Sequence, residues 1–136
     1  MDGVQAALMT MWNAVGAAAL RVLVPGGLWF VSAPQARPTS PYIVASYVAD
    51  RYEGAFGGRR TEIQRLRFTF YTPDDEQLAA VRLAMDAFKP VFDYTGFTVT
   101  GGGVVHMTRS GPGSLIPDGD GGFMGVLEYE YWYKTA

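Results

Sequence analysis

Residues 63–92 constrain this chain more than any other stretch, because one hydrophobic period gives way to another within a few positions. Leu66, Phe68 and Phe70 alternate with Arg65, Arg67, Thr69 and Tyr71. That alternation makes one side of an extended segment apolar and the other charged or polar, which predicts a half-buried strand. Thr72-Pro73-Asp74-Asp75 follows. It offers a capping hydroxyl, a proline suited to the first helical position, and carboxylates at the positive end of a helix dipole. Leu78, Val81, Met85, Phe88 and Phe92 then recur at spacings of three and four, with Glu76, Gln77, Arg82, Asp86 and Lys89 mostly elsewhere around the helix. The helix therefore has one greasy side that must dock, and the strand beside it is the obvious partner. Pro90 is expected to end the regular helix or bend its last turn, leaving Phe92 just past the end.

With 136 residues, the chain is read as one domain, 1–136, long enough to bury about two thirds of its unfolded surface. The absence of cysteine excludes disulfides, thiolate nucleophiles and cysteine-based metal sites. The net charge is −2, from 11 basic and 13 acidic residues that are well mixed. No long-range field gathers nucleic acid or an anionic membrane, so direct DNA binding is disfavoured. The most apolar stretch, 14–24, is interrupted by Arg21 and closed by Pro25-Gly26-Gly27, far short of the roughly 20 residues of a spanning helix. Asp2 precedes the first basic residue, Arg21. That is the wrong order for a secretory signal, so the chain is expected to stay in the cytosol of the producing cell. An aromatic content of 14%, with 17 glycines and 8 prolines, points to a sheet with many turns.

From the N-terminus, Val4, Leu8, Met11, Val15, Ala18 and Val22 fall at helical spacing and predict one amphipathic helix, stopped by Pro25-Gly26-Gly27. Leu28-Trp29-Phe30-Val31 reads as a short strand. A stiff, proline-rich arm over 33–41 follows. Residues 42–48 are β-compatible on both faces and predict a buried strand. The glycines and charges of 50–60 predict the turn of a long hairpin with the central strand. Residues 97–100 and 104–107 read as two strand pieces separated by Gly101-Gly102-Gly103, a bulge or sharp bend. Residues 110–122 hold five glycines, two prolines and two aspartates and predict a mobile surface loop. The last strand, 124–133, sets Leu127, Tyr129, Tyr131 and Tyr133 on one face and Val126, Glu128, Glu130 and Trp132 on the other. If it neighbours the central strand, its carboxylates face Arg65 and Arg67. The expected fold is α+β, an antiparallel or mixed sheet of about four to five strands with two helices packed on one face.

Groups fit for catalysis are few. His106 is the only histidine, which excludes a histidine-based metal cluster and leaves any triad dependent on it. Gly101-Gly102-Gly103 lacks the lysine and hydroxyl of a nucleotide loop and precedes a strand rather than a helix. Asp118-Gly119-Asp120-Gly121 lacks the further ligands of a calcium loop, and a solvated turn is the plainer reading. Glu128 and Glu130 lie about 6.5–7 Å apart by strand rise, a spacing that suits an acid/base pair but equally an ordinary solvent face. No cofactor or metal site is expected, and no enzymatic activity. A ligand-binding or hydrolytic domain built on His106 and the Glu128/Glu130 pair remains the alternative of a different class.

Trp29-Phe30-Val31-Ser32-Ala33-Pro34-Gln35 and Ser40-Pro41-Tyr42-Ile43-Val44 resemble the "APQ" and "PYIV" passage of tail terminator, or tail-completion, proteins of long-tailed phages and related gene-transfer particles. Arg65-Leu66-Arg67-Phe68-Thr69-Phe70-Tyr71 and Leu127-Glu128-Tyr129-Glu130-Tyr131-Trp132-Tyr133 sit where that family has its central and final strands. The 110–122 stretch has no counterpart in the pattern. The resemblance implies a structural virion protein without catalytic residues. It implies a hexameric ring at the head-proximal end of the tail tube, assembled in the host cytoplasm, that stops tube polymerisation and presents a surface for head attachment. A neck or head–tail connector with the same wedge-like fold is the near alternative. Expected partners are further copies of the chain, the tail tube protein and connector proteins, with DNA passing through the lumen and no membrane. The candidate contact residues are Arg51, Glu53, Arg59, Arg60, Arg65, Arg67, Glu128, Glu130, Asp118 and Asp120.

Overall fold

The computed structural model describes residues 2–30, 41–54, 60–72, 78–93, 95–99, 103–117 and 123–134. Its elements run α1 (Asp2–Trp12), a 3-10 turn (Val15–Ala17), α2 (Ala18–Leu23), β1 (Leu28–Phe30), β2 (Tyr42–Gly54), β3 (Arg60–Thr72), α3 (Leu78–Phe92), β4 (Thr95–Val99), β5 (Gly103–Arg109), β6 (Ser114–Pro117) and β7 (Phe123–Lys134). The fold is α+β, as the sequence implies. Among the described residues the mixed sheet has seven strands, more than the four to five expected, and there are three α-helices instead of two. Its order is β1-β2-β3-β7-β5-β4, with β6 also paired to β7. Among the described residues only β1 and β2 run parallel; the other pairings are antiparallel.

The core is the docking of α3 on β3 and β7. Val81, Ala84, Met85, Phe88 and Phe92 are buried against Leu66, Phe68, Phe70, Leu127, Tyr129 and Tyr131. Phe68 is in ring contact with Phe88 (centroids 4.8 Å), Phe92 (6.0 Å) and Tyr129 (5.5 Å, edge-on). Phe88 stacks on Phe92 at 4.2 Å and meets Phe70 edge-on at 5.3 Å. Such pairs contribute about 0.5–1.5 kcal/mol each beyond burial. Pro90 lies inside α3, which runs on to Phe92. The Asp93 N–H donates to the Lys89 carbonyl at 2.8 Å, so the last turn survives a proline whose missing N–H falls only one turn from the end.

The N-terminal helix is broken where a single amphipathic one was expected. α1 buries Val4, Leu8 and Trp12, and after the break Ala17, Leu20 and Val24 turn inward. The two helical segments meet at 68°. Val15 and Val22, core positions on an unbroken helix, are 92% and 79% exposed. Arg21 explains the corner: its Nη1 donates to the carbonyls of Trp12 (2.6 Å) and Ala14 (2.7 Å), satisfying acceptors that the end of α1 leaves open. Among the described residues no single helix is long and apolar enough to cross a membrane.

Three further expectations are corrected. The turn of the long hairpin is shorter than 50–60, since β2 and β3 stay paired out to Gly54↔Arg60, so Arg51, Glu53 and Arg60 are strand residues. A register shift between Tyr47 and Ala49 adds a bulge to β2. The glycines at 101–103 do not mark a bulge in one strand, because β4 and β5 pair antiparallel up to Val99↔Gly103 and the chain reverses between them. The 110–122 stretch is not all loop: β6 continues along the same edge of β7 that β5 occupies. Between Arg109↔Tyr129 and Ser114↔Val126, residues 110–113 lie opposite only Leu127 and Glu128, so β5 and β6 amount to one bulged strand along β7, covered by β4 over its β5 part. Gly111 and Gly113 hold φ of 100° and 92° there, values that side chains with a Cβ rarely adopt. Leu115 then reaches back to the core.

Met85 fills the space over Gly113 and Gly125. A Cβ on Gly125 would stand 2.9 Å from Val81 Cγ1 and still closer to Met85 Sδ. Gly125→Ala is expected to lower stability by about 1–3 kcal/mol through overpacking, read as a drop in urea midpoint, with Met85→Ala on that background restoring part of the loss. The corner gives a second expectation. Val15→Ser should change stability by no more than about 0.5 kcal/mol, whereas Leu20→Ala should cost about 2–5 kcal/mol; equal losses in denaturant titrations would mean that the helix is continuous.

Candidate interaction surface

The sheet's second face is organised in rows read directly from strand register. Arg65 lies opposite Glu130 and Arg67 opposite Glu128, and both pairs close. Arg65 Nη2 donates to Glu130 Oε1 at 3.0 Å. Arg67 donates to Glu128 Oε1 from Nη2 at 2.9 Å and from Nε at 3.1 Å. The alternation of charge in two distant segments thus becomes two intramolecular cross-strand ion pairs. Partly exposed pairs of this kind stabilise by about 0–1 kcal/mol each. Their larger effect is to cancel these four charges against one another within the face.

Toward the other end of the strands the same face turns apolar. Tyr42 and Tyr71, paired in register, stack with centroids 5.1 Å apart and planes 17° from parallel. Val44 and Thr69, the next row, are buried. Trp29 on β1, paired with Val44, and Ile116 on β6, paired with Met124, flank this region at its two margins.

Across the sheet, the helix side holds a polar cluster that sequence reasoning did not single out. Arg109 Nε donates to both Asp93 carboxylate oxygens (3.1 and 3.2 Å), and its Nη1 donates to the Gly111 carbonyl at 2.6 Å. The Tyr129 hydroxyl donates to Asp93 Oδ1 at 2.6 Å. The cluster ties the end of α3 to β5, β7 and the glycine bulge at once. Burial, then the Asp93 hydrogen bond and charge, push the Tyr129 hydroxyl pKa far above its usual value, against a smaller opposing pull from Arg109. One signal was present in the sequence: a tyrosine on the core face needs a partner for its hydroxyl.

Of the remaining candidates, Arg51 pairs in register with Ile63, Glu53 with Thr61, and Arg60 with Gly54; Arg59, Asp118 and Asp120 lie outside the described residues. His106 is exposed on β5, opposite Trp132 and two rows beyond Thr108 and Glu130. Glu128 and Glu130 are each engaged by their own guanidinium rather than converging on one point. Among the described residues, two hollows flank α3. One, about 230 Å³, is lined by Arg82, Met85, Asp86, Lys89 and residues 112–115. The other, about 330 Å³, lies between the helical corner and Pro90 and Val91. Among the described residues no group of three or more histidine or acidic side chains is placed to hold a metal ion.

Tyr129→Phe leaves Asp93 one donor short and is expected to cost about 1–3 kcal/mol, against at most about 1 kcal/mol for Glu128→Gln. The pH dependence has a definite sign. Tyr129 keeps its proton in the folded state at pH values where the unfolded chain loses it. Its contribution is therefore intact below pH ~10 and falls by about 1.4 kcal/mol per pH unit above that. Denaturant titrations from pH 9 to 11 should show a shallower alkaline decline for Tyr129→Phe than for the unaltered protein.

No family model matches the chain, and no curated protein does either. Solved structures do. A chain from the virion of a native gene transfer agent (GTA) particle superposes with a TM-score of 0.69 at 12% sequence identity, covering 98% of this chain and 96% of that one. The two share a fold from end to end.

Proposed function

We propose that this chain is a structural virion protein, a tail terminator that forms a hexameric ring at the head-proximal end of the tail tube. It stops addition of tube subunits and presents a surface to which the head attaches. The observation that carries the reading is the end-to-end fold likeness to a chain of a gene transfer agent virion, which falls on the same class of particle as the short motifs at 29–35, 40–44, 65–71 and 127–133. An α+β wedge suits the task, since identical wedges meeting through unlike faces close a ring when the rotation per subunit closes. The ring belongs to the tail of a particle assembled in the host cytoplasm. Its partners are further copies of itself, the tube protein and head–tail connectors.

The Arg65–Glu130 and Arg67–Glu128 pairs bear on the part these residues play. Each guanidinium already has a carboxylate of its own chain, so contact with a neighbour or with passing DNA does not depend on unpaired charge from these rows. A face of this kind lets a polyanion pass without holding it, because phosphate binding needs cations free to displace its counterions.

Purified protein is expected to show hexamer mass by light scattering and a ring in negative stain. Added to growing tail tubes, it should cap them at one end and arrest elongation. Tubes that elongate at an unchanged rate, with the protein bound instead to the head vertex, would move the assignment to a neck connector.

A further inference from the structure

Resting on the ring reading, we infer that successive subunits are joined by sheet extension, with the outer edge of β6 in one copy pairing to the outer edge of β1 in the next. The argument starts from register. Trp29 lies on one inter-strand row with Val44, Thr69, Val126 and Ser114, and Leu28 on the next with Ile43, Phe70, Gly125 and Leu115. β1 and β6 therefore lie at opposite ends of the same rows. Among the described residues, neither has a strand on its outer side. Open edges present unpaired backbone groups that accept another strand.

The side chains fit the same junction. Among the described residues each edge carries one exposed large apolar residue, Trp29 at 40% and Ile116 at 44%. Both fall on the face opposite α3, because Leu28 and Leu115, their neighbours in sequence, turn toward the core. Trp29 is held in place, its Nε1 donating to the Gly26 carbonyl at 2.8 Å. Joining the edges brings tryptophan and isoleucine together on one face and leaves the core side to Leu28, Phe30 and Leu115. Direction is also fixed. β1 runs parallel to β2, β2 antiparallel to β3, β3 antiparallel to β7, and β7 antiparallel to β6, so β6 opposes β1 and the junction is antiparallel. Unlike edges meeting head to tail form a heterologous contact, the type that generates rings.

The test uses the absence of cysteine from the chain. Trp29→Cys is combined with Ile116→Cys, or with Ser114→Cys, so that two registers of the junction are sampled; opposed residues in an antiparallel pair have Cβ atoms about 4.5–5.5 Å apart. Mild oxidation of the assembled protein should give, for at least one pair, a reducible ladder of dimers, trimers and higher species, while the single variants give nothing beyond dimer. Ile116→Lys should abolish the oligomer without shifting the thermal unfolding of the monomer. An oligomer of unaltered mass that yields no ladder from either pair, or that tolerates Ile116→Lys, overturns the edge pairing and leaves the ring reading standing. A protein that stays monomeric both alone and on isolated tail tubes overturns both.

Discussion

The aromatic contact between α3 and the centre of the sheet is the interaction on which the other features depend. Phe88 and Phe92 lie over Phe68, Phe70 and Tyr129, and this locks β3 and β7 side by side beneath one helix. With those two strands fixed, their outward residues must face each other as well, since successive side chains of a strand alternate between faces. The ion pairs of the second face are thus a consequence of packing on the first. The polar knot of Asp93, Arg109 and Tyr129 extends the same docking to the glycine bulge between β5 and β6.

The two faces differ in what they ask of the chain. The helix side tolerates little change in volume: Met85 and Val81 occupy the room a side chain on Gly125 would need, and Leu127 and Met85 that on Gly113. The other face is a two-part surface, charged but self-neutralised toward one end and aromatic toward the other. Such a surface makes few demands on folding, which leaves its composition free to answer to contacts outside the chain.

Much of this was legible in the sequence, and the failures have physical causes. The strand at 65–71, the greasy side of the following helix and the Arg/Glu opposition were readable because each rests on a clean local period. The N-terminal helix misled because its 3.6-residue pattern runs through a corner braced by Arg21, a side chain seven and nine residues from its two acceptors. β6 was missed because glycine and proline dominate its surroundings, and an edge strand needs only one inward residue, here Leu115, to be kept. The glycines at 101–103 signalled a change of direction, but composition does not distinguish a kink from a reversal. The knot at Asp93 was hidden because its three members are separated by 16 and 36 positions, and nothing local marks them as neighbours.

The self-neutralised face has a kinetic corollary. Attraction at a distance requires a net field, and a surface whose guanidinium and carboxylate groups cancel within each chain supplies little. Encounters through it should proceed at the unsteered rate, about 10⁵–10⁶ M⁻¹s⁻¹, and depend little on ionic strength. Affinity through such a surface comes from the fit of the shapes once they have met, with little attraction before contact.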